Sequence, residues 1–215
     1  MDVFGPIGLL VMDGVALLEL LTIIGIGLLI PGPNGLTCFA HSGLFGKRSN
    51  ITLIAGMAVG FLTVELSVGL LVDSLNESQR ALVILHWIGM IFLLFMAIAM
   101  FKTNASKLKA SEIDSALGFK AGVLMQFVNG KEWAFVIIIM TQFIEPLGGG
   151  LVGIATIMLV TLVTCTTAMI LWTILGDKLT ETFSDGNRGK LIMKICGSLL
   201  VLLWIVFLIQ GPQFS

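Results

Sequence analysis

The chain has 215 residues, 57% of them hydrophobic and 12% charged, with a mean hydropathy of +1.05. Soluble domains carry roughly 25% charged residues, so this composition excludes an ordinary globular domain and points to an integral membrane protein in a lipid bilayer. A formal net charge of −1, with no basic cluster interleaved with aromatics, excludes a nucleic-acid partner.

The early ionisable residues are Asp2, Asp13 and Glu19 and the first Lys or Arg is Lys47, so no cleaved leader is expected. A helix crosses the hydrocarbon core in roughly 20 apolar residues. Six stretches meet that length, near 15–40, 52–72, 82–101, 119–143, 151–175 and 191–210, divided by polar segments such as HSGLFGKRSN and KTNASKLKASEID. Their long unalternated runs predict helices rather than barrel strands, and the expected fold class is all-α. Loops after spans one, three and five hold Lys47 and Arg48, then Lys102, Lys107, Lys109 and Lys120, then Lys178, Arg188, Lys190 and Lys194. The opposite side holds only Arg80, which predicts that both termini face away from the cytoplasm.

Span one is interrupted by LLIPGPNGLTCFA and span four by FVNGKEWAF, so an Asn-Gly pair, Asn34-Gly35 and Asn129-Gly130, falls within the first helix of each half. Three crossings per half make the second half inverted: a repeat at 1–104, a cytoplasmic linker at 105–117 and a second repeat at 118–215. Inverted repeats with matching helix breaks point to a secondary transporter whose site lies where the breaks meet. Proline and glycine at Pro31, Gly32, Pro33 and Gly35 unwind the helix and free backbone groups that hydrocarbon does not tolerate unsatisfied. The resuming helix offers a positive N-terminus to a carboxylate, and the freed carbonyls suit an ammonium. The alternative is a simple proline kink.

Charge inside a span is costly and faces a cavity or a partner. Lys131, followed by Glu132, lies near the middle of span four and is either a substrate contact or half of a tethering ion pair. Glu65, deep in span two, either pairs with Lys131, binds a substrate ammonium or carries a coupling proton. Glu19 is buried if span one begins near Gly8 and interfacial if it begins near Leu20. In span five, threonine hydroxyls either line a polar path, with Thr161 and Thr164 nearest mid-span, or bond back to their own helix. Gly56 and Gly60, spaced GxxxG, predict close helix packing. Trp87 and Trp172 read as interface anchors. His41 and His86 sit at span ends with no metal role. Cys38, Cys165 and Cys196 lack CxxC spacing, so neither a disulfide framework nor a thiol redox carrier is expected.

These pieces, PGPNGL, the short GKR loop, AGMAVGF, LMQFVNGKEWAF and the glycine-containing last span, resemble the lysine-exporter (LysE/RhtB-type) family of amino-acid exporters over nearly the whole chain. QFVN and AGMAVGF resemble most closely its cysteine and O-acetylserine efflux branch. The resemblance implies export of a small amino acid or derivative of the cysteine, O-acetylserine or homoserine/threonine class. It also implies a bacterial inner membrane, proton-gradient drive, no ATP and no cofactor; a homodimer stays open. The family's Pro-Gly-Pro-Asn maps to Pro31, Gly32, Pro33 and Asn34, and its Asn-Pro-Lys to Asn129, Gly130 and Lys131. Gly130 departs from the usual proline and Glu132 from the usual small residue. A divalent-metal exporter of the same superfamily would need clustered donors, whereas Glu19, Glu65 and Glu132 are scattered. A purely structural or assembly role predicts that Asn34, Asn129 and Lys131 tolerate replacement.

Overall fold

A computed structural model of the chain describes residues 13–30, 32–75, 78–102, 115–184 and 186–211. Pro31 and most of the linker expected at 105–117 lie outside these residues. Among the described residues there are helices and no strands: α1 (Gly14–Leu29), α2 (Pro33–Phe45), a 3-10 turn (Lys47–Ser49), α3 (Asn50–Ser74), α4 (Gln79–Lys102), α5 (Phe119–Val128), α6 (Gly130–Phe143), α7 (Gly150–Ser184) and α8 (Gly186–Gln210). Each of the six apolar stretches is therefore helical. By length and composition, helices over 47–74 and 150–176 suffice to cross a membrane. The count rises to four if α1–α2 and α5–α6, bent by 48° and 65°, each form one span.

The breaks have different chemistry. Asp13 caps α1 by accepting from the Val15 N–H. At its other end α1 runs into extended backbone at Ile30, and α2 opens with Pro33 at its first position, where a missing N–H costs nothing. The helix thus resumes at Pro33, inside the Pro31 to Gly35 stretch expected from sequence to be unwound. In the second break Asn129 alone is non-helical, at φ −83° and ψ 88°. Gly130 is already helical, so the turn does not draw on glycine's left-handed freedom.

α6 occupies the centre. Ala134 to Phe143 are all buried, and all but Thr141 and Gln142 join Leu20, Ile30, Met90, Leu93, Leu147, Ile154, Ile157 and Phe207 in one apolar core. A helix buried on every side belongs to the interior of a bundle. Large apolar side chains such as Ile51, Ile91, Phe95, Leu124, Leu151 and Ile209 point outward. Exposed hydroxyls on Thr22, Thr63, Ser67 and Thr167 donate to carbonyls four residues earlier in their own helices. An apolar exterior with its polar groups internally satisfied is the surface of an integral membrane protein.

Two helix pairs are clamped by glycine. A Cβ at Gly56 would overlap the Phe119 carbonyl oxygen and one at Gly122 the Leu53 carbonyl oxygen, so α3 and α5 meet backbone to backbone, as the GxxxG spacing predicts. On α7, a Cβ at Gly176 would overlap the Phe39 carbonyl oxygen of α2. Below that contact lies a buried polar knot. His41 Nδ1 pairs with Asn50 Oδ1 and Nε2 accepts from the Leu117 N–H at 2.7 Å. Asn50 Nδ2 donates to Cys38 O at 2.7 Å and Thr173 Oγ1 at 2.8 Å, and Ser42 Oγ to Thr173 O at 2.7 Å. His41 is therefore a buried tie between α2, α3 and the approach to α5.

Alanine at Gly122 should cost about 1–3 kcal/mol through overpacking, although alanine is the better helix former. Alanine at Gly130, whose Cβ would come no closer than 3.6 Å to Phe92, should be tolerated. Thermal unfolding in detergent checks the contrast, and equal losses from both changes would refute the backbone clamp.

Candidate functional site

The C-terminus of α1 leaves carbonyls without intrahelical partners inside an apolar bundle, where each unpaired group is costly. Lys131, in the first turn of α6 and 7% exposed, reaches across the break and donates from Nζ to Gly27 O and Ile30 O, both at 3.0 Å. Its stem packs at Gly32, where a Cβ would stand 2.8 Å from Lys131 Cδ, and its ammonium lies 5.6 Å from the Phe135 ring centroid. A cation at a helix C-terminus also complements the helix dipole. The Leu28 carbonyl accepts from Trp172 Nε1 at 3.4 Å, and the indole lies against Gly35. Trp172, expected as an interface anchor, is instead turned inward onto the break. The freed carbonyls do suit an ammonium, and the one they hold is Lys131's own.

A second contact joins the breaks. Asn34, in the first turn of α2, donates from Nδ2 to Gln126 Oε1 at 2.8 Å, and Gln126 Nε2 returns a bond to Asn34 Oδ1 at 3.1 Å. Asn34 Nδ2 also reaches Glu132 Oε1 at 3.3 Å, and Gln126 Nε2 reaches Gly122 O at 3.3 Å. Asn34, Gln126 and Glu132 line a cavity of about 30 Å³ whose other walls include Met57, Phe61, Leu162, Cys165 and Met169. That space admits water but not an amino acid.

Beside it, the deep ionisable groups converge. Glu65 on α3, 1% exposed, lies against the Thr161 hydroxyl of α7 and within electrostatic reach of Glu132. Cys165, one turn beyond Thr161, is within reach of Glu132, Glu65 and Lys131 and lies against Thr164. Thr161 and Thr164 bond back to α7, Thr161 Oγ1 to Ile157 O at 2.8 Å and Thr164 Oγ1 to Val160 O at 2.7 Å. Glu65 Oε2 and both polar atoms of the Asn129 side chain are buried without a hydrogen-bond partner among the described residues. Buried polar atoms of that kind call for a functional explanation. Glu19 stands apart. It is exposed and lines a separate polar pocket with Asp13, Gln142 and Pro146. Among the described residues no group of three His, Cys, Asp or Glu is placed to hold a metal ion.

A family model described as LysE type translocator matches residues 7–211. The chain belongs to that family. This translocator-family chain is also similar to a cysteine/O-acetylserine efflux protein of Klebsiella pneumoniae, 32% identical over 55% of this chain and 60% of that protein. Similar proteins of the same description from Salmonella paratyphi A and Escherichia coli K12 are each 27% identical over 74% of this chain, covering 82% and 80% of their own lengths. No solved structure matches it.

Of the residues singled out from sequence, the fold of this translocator-family chain places Gly32, Pro33, Asn34, Gly35, Asn129, Gly130, Lys131 and Glu132 at the two breaks, with Glu65 of α3 against Thr161 of α7 and within electrostatic reach of Glu132, while Thr164 bonds to its own helix. Gln126 was not singled out from sequence, and Cys165 was read only as a cysteine without disulfide or redox spacing. Gln126 lies three residues before Asn129 in the last turn of α5, and an uncharged amide in an apolar run was the available signal.

Replacing Lys131 by Met strips a donor from two buried carbonyls, each worth about 1–3 kcal/mol when left unpaired. The variant should unfold at a clearly lower temperature in detergent. An unchanged melting temperature would show that the carbonyls find other partners.

Proposed function

We propose that this chain is a secondary exporter of a small amino acid or derivative, of the cysteine, O-acetylserine or homoserine/threonine class, working in the bacterial inner membrane by alternating access. The observation that carries the reading is the pairing of two helix breaks through buried polar side chains, with Asn129 and Glu65 retaining unpartnered atoms beside them. A chain that needed only to span a bilayer would gain nothing from burying such groups. The family and the efflux proteins it resembles support the same class of cargo.

The six apolar stretches act as six spans in two inverted repeats, 1–104 and 118–215, joined by the cytoplasmic linker 105–117, with both termini outside the cytoplasm. The charge asymmetry of the loops supports this orientation. Cargo binds between the breaks, contacted by Asn34, Gly35, Asn129 and Gly130, with Thr161 and Thr164 on the path. Lys131 holds the first break in shape. Inward proton movement is coupled through Glu65 on α3 and Glu132 on α6, which lie within electrostatic reach of each other. The small cavity represents a closed state, and transport requires the packed helices to part.

Proteoliposomes loaded with labelled O-acetylserine, cysteine, homoserine or threonine test the reading, with and without a pH gradient. The gradient should accelerate saturable efflux, and Asn34→Ala or Asn129→Ala should slow it roughly tenfold or more in folded protein. Glu65→Gln should preserve exchange while removing the response to the gradient. Folded protein that moves none of these compounds would sink the proposal.

A further inference from the structure

The Asn34–Gln126 contact is a reciprocal amide pair, with each side chain donating one N–H to the other's oxygen. The two residues are 92 positions apart and ride on different packed units. Gln126 belongs to α5, clamped to α3, and a Cβ at Gly60 would stand 2.9 Å from Gln126 Cγ, so its stem is seated by that glycine. Asn34 belongs to α2, clamped to α7 at Gly176. The pair is the polar seam between the two clamped units, and it forms part of the cavity wall. Glu132 Oε1 accepts from Asn34 Nδ2, which fixes the orientation of the Asn34 amide and, through the reciprocal bonds, that of Gln126.

We propose that this pair recognises the α-amino and α-carboxylate groups of the cargo by exchange, with Gln126 a binding residue equal to Asn34. The inference rests on the exporter reading. Closed, the pair satisfies itself; parted, it presents two amide N–H donors and two carbonyl acceptors. Asn34 Nδ2 and Gln126 Nε2 then donate to a carboxylate, which has an oxygen for each. Asn34 Oδ1, Gln126 Oε1 and Glu132 accept the three N–H bonds of an ammonium. The zwitterion thus replaces what each amide loses on opening, so neither amide of the pair is left unpaired in either state. Asn129, three residues beyond Gln126 at the second break, has both side-chain polar atoms buried and unpartnered among the described residues. The rest of the wall is apolar or thiol, such as Met57, Phe61, Leu162, Cys165 and Met169, apart from the neutral hydroxyl of Thr166, and brings no further charge to meet a charged side chain. The cargo class is therefore α-amino acids with both charged termini free and a small uncharged side chain.

Counterflow of labelled O-acetyl-L-serine into proteoliposomes carrying the full chain tests this. In the unmodified protein, serine and threonine should compete, while N-acetylserine, serine methyl ester, lysine and glutamate should compete at least roughly tenfold more weakly. Gln126→Met, which keeps the length of the side chain and removes its amide, should raise KM by roughly tenfold with little change in maximal rate per folded molecule. A mere tether would lower the maximal rate and the melting temperature and leave KM alone. A native KM in folded Gln126→Met, or equal competition by the blocked analogues, overturns the inference while leaving the exporter reading intact. If Gln126→Met does not fold, the competition series on the unmodified protein decides alone. Absence of counterflow for every amino acid in folded unmodified protein removes the exporter reading and the inference together.

Discussion

Everything at the centre of this molecule depends on satisfying the backbone groups released where α1 stops. In an apolar bundle those carbonyls have no water to turn to. Lys131 meets two of them with its ammonium, and Trp172 meets a third with its indole N–H. The cost of burying a lysine and the cost of breaking a helix thereby cancel against each other, because each supplies what the other lacks. Gly32 leaves the lysine stem its room, and Pro33 starts the next helix without adding another donor to be satisfied.

With the first break held in place, the second can be simpler. A single non-helical residue, Asn129, turns α5 into α6 by 65°. That bend places Lys131 toward α1 and Glu132 toward Asn34, two consecutive residues serving two different contacts across the same break. Charge and amide chemistry are divided between them: the ammonium is committed to the backbone, whereas the amide pair and Glu132 form the wall of the small cavity.

The helix crossings decide which parts can move relative to which. Backbone contact at Gly56 and Gly122 joins α3 to α5, and at Gly176 it joins α2 to α7. Each clamp links helices from opposite sides of the 105–117 segment, so the closest backbone packing joins the two sequence halves and does not separate them. The His41, Asn50 and Thr173 knot ties α2, α3 and α7 at one end of this seam, and the Asn34–Gln126 pair ties it near the breaks.

Much of this was legible in the residues. Composition and apolar length determined an all-helical membrane protein, because a bilayer admits few other solutions. Proline and Asn-Gly placed both interruptions, and isolated charge inside apolar runs marked Lys131, Glu132 and Glu65, since such residues are expensive wherever they occur. Partnership was not legible. Whether Lys131 would face a substrate, a carboxylate or a backbone carbonyl depends on which helix lies opposite, and residues 101 and 104 positions away in sequence answered it. Glu19 could be buried or interfacial by sequence, and only the position of α1 beside the end of α6 made it exposed. Gln126 carries no charge and breaks no helix, so its only local mark was an amide in an apolar run. Its pairing with Asn34 exists only because two glycine-clamped crossings bring α5 and α2 together. The sequence by itself determined which groups needed partners, through the fixed cost of polar atoms in hydrocarbon; the tertiary structure alone decided which partners they took.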